Sequence, residues 1–128
     1  MTHLVAVALD AQDPAWLASF WARLLSRPVV AEPRGLLLDG DRTQVALRFV
    51  PSSSTKDGPN DLHFHLSSTD VADQQRTIAT ALDLGATHLD VGQRPEERHV
   101  VLADPEGNEF CVIEPGNAFL AGCGRLAE

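Results

Sequence analysis

The chain has 128 residues, a length typical of one domain that buries enough apolar surface to fold without disulfides or a structural metal. Apolar residues make up 44% of it and charged residues 22%, which excludes the disordered, collagen-like and coiled-coil classes. Eighteen acidic and ten basic residues give a formal net charge of -8, and this charge disfavours nucleic acid and anionic membranes as partners.

The first apolar run, Leu4 to Leu9, has the length and composition of a strand. It is too short, and lacks the basic leader, for a signal-peptide core, and no stretch approaches the roughly 20 apolar residues that span a bilayer. The two cysteines, Cys111 and Cys123, are expected to be reduced thiols rather than a disulfide framework. We therefore expect a cytoplasmic protein without a membrane partner.

A helix and three strands are predicted after this first strand. Asp13 is predicted to cap the start of the helix, and Pro14 is predicted to be the first helical residue. Apolar residues then recur with helical spacing and predict one buried face: Leu17, Phe20, Trp21, Leu24 and Leu25. Pro28 closes the helix, and strands are predicted at Val29 to Ala31, Gly35 to Leu38, and Gln44 to Val50.

The same order of elements is predicted after a loop at residues 51–60, which are rich in Ser, Pro and Gly. A strand at Leu62 to Ser67 precedes a helix at Val71 to Leu84, with Asp70 as its N-cap and Gly85 just after its end. Ile78 and Leu82 are predicted to face inward. Three further strands are predicted near Thr87 to Val91, His99 to Ala103, and Glu109 to Glu114, while residues 116–128 have no clear pattern.

A hairpin organises the second half of the chain. Val100 to Pro115 reads VVLADPEGNEFCVIEP, in which two apolar runs flank a turn at Asp104 to Asn108. The two helix caps lie 57 residues apart, so the halves are predicted to be a repeated strand-helix-strand-strand-strand module.

The repeat resembles the vicinal oxygen chelate superfamily, and the small glyoxalase-like domains most of all. Three segments carry the resemblance: ALDAQDPAWLASFWARLL, HFHLSSTDVADQQRTIATALDLGA and VVLADPEGNEFCVIEP. It implies an α+β fold in which tandem βαβββ modules form a curved mixed sheet with helices on the convex side and a small-molecule cavity on the concave side, often within a homodimer. We expect a single domain with modules at about 3–50 and 61–115, a linker at 51–60 and a tail at 116–128.

Alternation along the strands predicts which side chains line this cavity. In four strands the large apolar residues have one parity, which we expect to pack on the helices. The other parity is small or polar and gives the predicted cavity residues: Ala6, Ala8, Gln44, Ala46, Arg48, His63, His65, Ser67, Glu109 and Cys111. The alternative is that this polar face is a solvated sheet surface.

The resemblance also locates a possible metal site. Superfamily enzymes hold a divalent metal on four ligands, and the matching positions here are Ala6, Arg48, His63 and Cys111. Only His63 matches the family pattern, and a methyl group and a guanidinium cannot coordinate a cation. We therefore expect no metal. The alternative is one divalent metal at a relocated site near His63, His65 and Glu109, which Cys111 could complete.

The predicted ligand-binding residues are Gln44, Arg48, His63, His65, Glu109 and Cys111. Arg48 would hold a carboxylate, a phosphate or another planar anionic group, unless it pairs with Glu109 or another acid. His63 is the candidate catalytic residue, as a general acid or base. Cys111 is a candidate nucleophile only if its pKa is lowered, and is otherwise an inert buried thiol.

Three functions follow from these residues. The first is a metal-free glyoxalase-like protein that binds a small polar or anionic molecule. The second is an enzyme of the same superfamily, a lyase, isomerase or dioxygenase that depends on His63 or on a relocated metal. The third is an interaction module whose homodimer is the functional unit.

Overall fold

A computed structural model of the chain describes residues 1–54, 62–89 and 100–113. The chain divides into two compact units, Met1–Gly58 and Pro59–Glu128, and each is described by itself. Their boundary falls inside the predicted linker at 51–60. Cys123, the tail at 116–128 and the outer ends of the strands predicted at 87–91, 99–103 and 109–114 lie outside the described residues.

The first unit contains one helix and a four-stranded sheet. Its elements are β1 (Ala6–Ala11), α1 (Pro14–Leu25), β2 (Val29–Glu32), β3 (Gly35–Leu38) and β4 (Ala46–Pro51). The strand order is β1-β4-β3-β2, with β1 parallel to β4 and the other pairs antiparallel. β4 therefore lies inside the sheet, between β1 and β3.

Helix α1 begins as its sequence predicts, and it ends at Leu25, before Pro28. The Asp13 carboxylate accepts a hydrogen bond from the Trp16 amide at 3.1 Å, and Pro14 occupies the first helical position, where the missing N–H has no cost. Leu17 and Trp21 are fully buried, and Phe20 packs edge-on against Trp21 with ring centroids 5.2 Å apart. The helix thus supplies the largest part of this unit's core.

The second unit repeats this arrangement. Its elements are β5 (Phe64–Leu66), α2 (Val71–Asp83), β6 (Thr87–His88), β7 (Val100–Ala103) and β8 (Glu109–Val112), and the strand order is β5-β8-β7-β6. β5 is parallel to β8, just as β1 is parallel to β4. The repeat that the sequence predicts is therefore present in both the order and the pairing of the described strands.

Helix α2 matches its predicted bounds to within one residue, but one of the two residues predicted to face inward is exposed. Asp70 caps it by accepting a hydrogen bond from the Asp73 amide at 2.7 Å, and Gly85 has the positive φ of 114° that its position requires. Leu82 is 36% exposed, because the buried positions are Gln74 and Ala81, which share one face of the helix, and Leu82 is rotated by roughly 90° from that face. The small Ala81 side chain lets the helix pack closely.

Three strands differ from their predicted bounds by about two residues. β1 begins at Ala6 rather than Leu4, and it continues to Ala11 because it pairs with β4 over that whole length. β4 begins at Ala46 rather than Gln44, and β5 is limited to Phe64–Leu66. His63 therefore immediately precedes β5 rather than lying inside it.

The predicted hairpin is present as β7 and β8, and a buried carboxylate holds its turn. Asp104 is only 3% exposed. Its Oδ1 atom accepts hydrogen bonds from the amides of Glu106 and Asn108 at 3.0 and 2.9 Å, and the Asn108 side chain donates to both carboxylate oxygens. This network satisfies the buried acid and explains why the turn needs Asp at its start and Asn at its end.

Candidate functional site

Arg48 lies on β4 between two core residues, so its side chain is directed away from them. Leu47 and Phe49 are 5% and 0% exposed and pack into the core, whereas the Arg48 side chain is 44% exposed. Successive strand residues alternate between the two faces of a sheet. The guanidinium therefore belongs to the face opposite α1's core residues, as the sequence pattern predicts.

Glu32 on β2 binds this guanidinium through two hydrogen bonds. Arg48 Nε donates to Glu32 Oε1 at 2.7 Å, and Arg48 Nη2 donates to Glu32 Oε2 at 3.1 Å. The hydrogen bond from Arg48 lowers the pKa of Glu32, and the same pair raises the pKa of Arg48. The sequence allows Glu109 or another acid as a partner for Arg48, and the structure pairs Arg48 with Glu32.

Small and aliphatic side chains surround Arg48 on the same face. The strand register pairs Arg48 with Ala8 on β1 and with Leu37 on β3, and it pairs Ala6 with Ala46 one step away. These neighbours are small or aliphatic, and Ala46 among them is only 7% exposed. The face therefore combines the Arg48–Glu32 ion pair with small and aliphatic side chains.

Gln44, predicted to line the cavity from a strand, lies in the turn before β4. Its amide donates to Asp41 Oδ1 at 3.0 Å and its carbonyl accepts from the Asp41 amide at 2.9 Å. Thr43 also donates to Asp41, and these bonds lower the pKa of that carboxyl group, with the Thr43 backbone bond as the largest cause. The turn lines a depression of about 490 Å³ together with Leu4 and Val5.

Two predicted site residues of the second unit lie close together. His63 Nε2 is 3.6 Å from Glu109 Oε2, close enough for an ion pair when the imidazole is protonated and too long for a strong hydrogen bond. The side chains are 45% and 10% exposed, respectively. His65, two residues after His63, is exposed, and the strand register places it opposite Cys111 on β8.

Cys111 lies among apolar neighbours rather than in an open polar site. It is 8% exposed and clusters with Val101 and Ile113, and Leu89 packs against them. Burial raises the pKa of the Cys111 thiol, so the neutral thiol is the favoured form at neutral pH. This environment favours the inert thiol among the two roles that the sequence left open.

The four positions that correspond to family metal ligands do not offer a ligand set. In the first unit, Ala6 has no donor atom and Arg48 is a cation held by Glu32. In the second unit, His63 has a usable imidazole, but the Cys111 thiol is buried and kept neutral. Within residues 1–54, 62–89 and 100–113, no three His, Cys, Asp or Glu side chains converge on one point.

Sequence reasoning missed Glu32 as a site residue and placed it in the connection after β2. The usable signal is parity within β2, because Glu32 shares a face with Val30, which the strand pairing connects through Leu37 to Arg48. That signal requires the order β4-β3-β2, which the sequence alone does not determine.

Neither described helix, at 12 and 13 residues, is long and apolar enough to cross a membrane.

Comparison with known families matches residues 6–113 to the model of the glyoxalase-like domain. A comparison with curated proteins gave no match.

Solved structures share the fold at low sequence identity. A glyoxalase/bleomycin resistance protein/dioxygenase family enzyme from Burkholderia phytofirmans PsJN is 17% identical, with a TM-score of 0.72 over 87% of this chain and 97% of that one. The fosfomycin resistance protein FosX from Mesorhizobium loti is 14% identical, with a TM-score of 0.70 over 100% and 99%. Protein ATC0852 from Agrobacterium tumefaciens is 21% identical, with a TM-score of 0.66 over 89% and 98%. At these identities the likeness extends to the fold alone.

Proposed function

The chain belongs to the family of glyoxalase-like domains, and we propose that it binds a small polar or anionic molecule, without the divalent metal of the superfamily's enzymes. The observation that carries this proposal is the half-exposed guanidinium of Arg48, which shares its sheet face with Glu32 and with the small or aliphatic residues Ala8 and Leu37. An exposed arginine among methyl groups favours a planar group with two acceptor oxygens, because its N–H groups form a rigid fork.

The donor chemistry supports the metal-free part of the proposal. A methyl group at Ala6 and a guanidinium at Arg48 replace two of the four oxygen or nitrogen ligands that the family resemblance implies. A cation beside Arg48 would also be repelled by its charge. Elemental analysis of protein purified without chelators tests this directly, since stoichiometric Zn, Ni, Mn or Fe that is lost in His63→Ala would overturn it.

Binding is tested by titrating the protein with small carboxylates and phosphates and following its amide NMR spectrum. Arg48→Ala should abolish the saturable shifts of residues on β1, β3 and β4. Arg23→Ala, which removes an exposed arginine in the last turn of α1, should leave them unchanged and controls for loss of charge. Equal shifts in the two variants would show that the probes respond to net charge rather than to this site.

A second candidate function is an enzyme of the same superfamily that uses His63 as a proton shuttle or a relocated metal near His63, His65 and Glu109. The observation that favours it is the 3.6 Å separation of His63 and Glu109, since a carboxylate beside an imidazole can orient it for proton transfer. Methylglyoxal with glutathione or other thiols, and catechols with Fe(II), are suitable substrate panels. Turnover that disappears in His63→Ala would favour this function over simple binding.

We also propose that the functional form is a homodimer, as the family resemblance implies. Analytical ultracentrifugation over a wide concentration range tests this without reference to any ligand. A monomer at all concentrations would remove the dimer from the proposal and leave the binding site unaffected.

A further inference from the structure

Glu32 binds Arg48 through only one edge of the guanidinium. A guanidinium has five N–H groups, arranged so that Nε and Nη2 share one edge while Nη1 and Nη2 share another. Glu32 takes the Nε–Nη2 edge with both of its oxygens. Within the described part of the chain Arg48 makes no further hydrogen bond, so its Nη1–Nη2 edge keeps two parallel donors available.

The strand order explains how the two side chains meet. β3 lies between β2 and β4, so Glu32 and Arg48 are separated by about two strand spacings, or roughly 9–10 Å between backbones. On the face they share, the β3 residue paired with Glu32 is Gly35. A Cβ atom at Gly35 would lie 2.1 Å from the Phe49 carbonyl oxygen, so glycine is what lets β3 approach β4 this closely and brings β2, with Glu32, within reach of Arg48.

We propose that Glu32 is a positioning and specificity-determining residue, which presents the Nη1–Nη2 edge of Arg48 to a carboxylate and reduces the preference of this edge for more highly charged anions. This inference rests on the proposed binding function and narrows its ligand class. The two coplanar donors match the two coplanar oxygens of a carboxylate. Glu32 offsets part of the positive potential of Arg48, which reduces the extra attraction that a phosphate dianion has over a carboxylate.

The negative charge of Glu32 affects how strongly ligands of different charge bind to Arg48. A ligand bound to the adjacent edge places its acidic group roughly 7 Å from the Glu32 carboxylate, judged from ordinary hydrogen-bond lengths. At that separation, and at an effective dielectric constant between those of protein surface and water, Glu32 weakens binding about tenfold for each negative charge on the ligand, relative to an uncharged residue in its place. Because the Arg48 cation lies closer to the ligand, Glu32 narrows the advantage of a dianion over a monoanion of the same shape rather than reversing it.

The test uses two aromatic probes that differ in charge, benzoate and phenyl phosphate. Their dissociation constants are measured by NMR titration at about pH 8, where the phosphate is a dianion because its second pKa is about 6. The ratio of the two constants in the wild-type protein is the reference value. Glu32→Gln should shift the ratio of the two constants about tenfold towards phenyl phosphate. Glu32→Asp keeps the charge and should keep the wild-type ratio, while it weakens benzoate binding because the shorter side chain cannot hold both N–H groups.

The outcomes separate this inference from the function on which it rests. If Arg48→Ala abolishes binding of both probes but Glu32→Gln leaves their ratio unchanged within about twofold, the binding function stands and the role of Glu32 is overturned. If neither probe shows saturable binding to the wild-type protein, both are overturned. The Arg48 Nε–H resonance gives a readout without ligand, since it should exchange slowly in the wild type and rapidly in Glu32→Gln.

Discussion

Arg48 on β4 and Cys111 on β8 are equivalent positions in the repeat, yet their environments are opposite. Each lies on the second strand of its sheet, opposite a residue of the parallel edge strand, Ala8 for Arg48 and His65 for Cys111. The Arg48 side chain is 44% exposed, whereas Cys111 is 8% exposed and packs with Val101. The topology is repeated in the two units, but the chemistry of this face is not.

The difference between the units shows which positions the fold constrains. On β4 the constrained residues are Leu47 and Phe49, and on β8 they are Phe110 and Val112, all of which are buried. The intervening position is free to become a charged donor in one unit and a buried thiol in the other. A binding role is therefore better supported for the Arg48 face, which stays accessible, than for the buried Cys111 cluster.

The largest expected effect comes from the constrained side of β8. Phe110→Ala removes a fully buried ring and should lower the free energy of unfolding by about 3–5 kcal/mol. Urea unfolding followed by far-ultraviolet circular dichroism measures this. His88→Ala, at an exposed position on β6 of the same sheet, is the control and should change stability by less than about 0.5 kcal/mol. A loss below about 1 kcal/mol for Phe110→Ala would mean that this side is not the packed one.

Gly35→Ala should have the next largest effect and tests the Arg48 face. A Cβ atom at this position would lie 2.1 Å from the Phe49 carbonyl oxygen, so β3 and β4 must move apart. Such overpacking costs about 1–3 kcal/mol. The Arg48 Nε–H resonance should also shift, because the Glu32 carboxylate moves with the strands. Ala31→Ser, at an exposed position on β2, should leave stability and resonance unchanged and so controls for substitution near this edge.

Substituting the equivalent positions Arg48 and Cys111 sharpens the contrast between the units. Cys111→Ser puts a hydroxyl group among Val101 and Ile113 and should cost about 1–2 kcal/mol, since no partner in that cluster can satisfy it. Arg48→Ser removes only an exposed ion pair and should destabilise the protein less than Cys111→Ser does. Urea unfolding of both variants checks this. Equal losses would contradict the assignment of one buried and one accessible position.

Local chemistry explains why most of the fold could be predicted from the sequence. Asp13 and Asp70 cap the first turns of their helices, and Gly85 adopts the positive φ that the residue after helix α2 requires. Each of these sequence signals lies within a few residues of its effect. Strand parity likewise predicted that Phe110 is buried and that Arg48 is not.

The candidate site was predicted less completely because it depends on contacts between distant residues. Glu32 reaches Arg48 only because β3 lies between their strands and pairs closely with β4, where Gly35 avoids a clash with the Phe49 carbonyl oxygen. The burial of Cys111 depends on Val101 and Ile113, and on a second covered face of β8 that alternation in one strand does not reveal. Residue types were therefore predicted better than their partners.

The smallest expected effect is the contribution of the Glu32–Arg48 pair to the pH dependence of stability. Hydrogen bonding to Arg48 lowers the pKa of Glu32 below its ordinary value of 4.5. A folded-state pKa below the unfolded value means that the pair stabilises the protein above about pH 4.5, and that this contribution is lost as the pH falls through the lowered pKa. The difference in stability between wild type and Glu32→Gln should therefore disappear in acid.

An NMR titration of the Glu32 carboxyl carbon measures this pKa directly, and Arg48→Ala provides the matched comparison. The titration midpoint should lie below 4.5 in the wild type and return to about 4.5 in Arg48→Ala, because the variant removes the hydrogen bonds that favour the carboxylate. The midpoint of Asp73, which its bonds from Thr69 also lower, should stay where it is, since that carboxyl group lies in the other unit. An unchanged Glu32 midpoint in Arg48→Ala would show that the two side chains do not pair in solution, and the oriented guanidinium would lose its support.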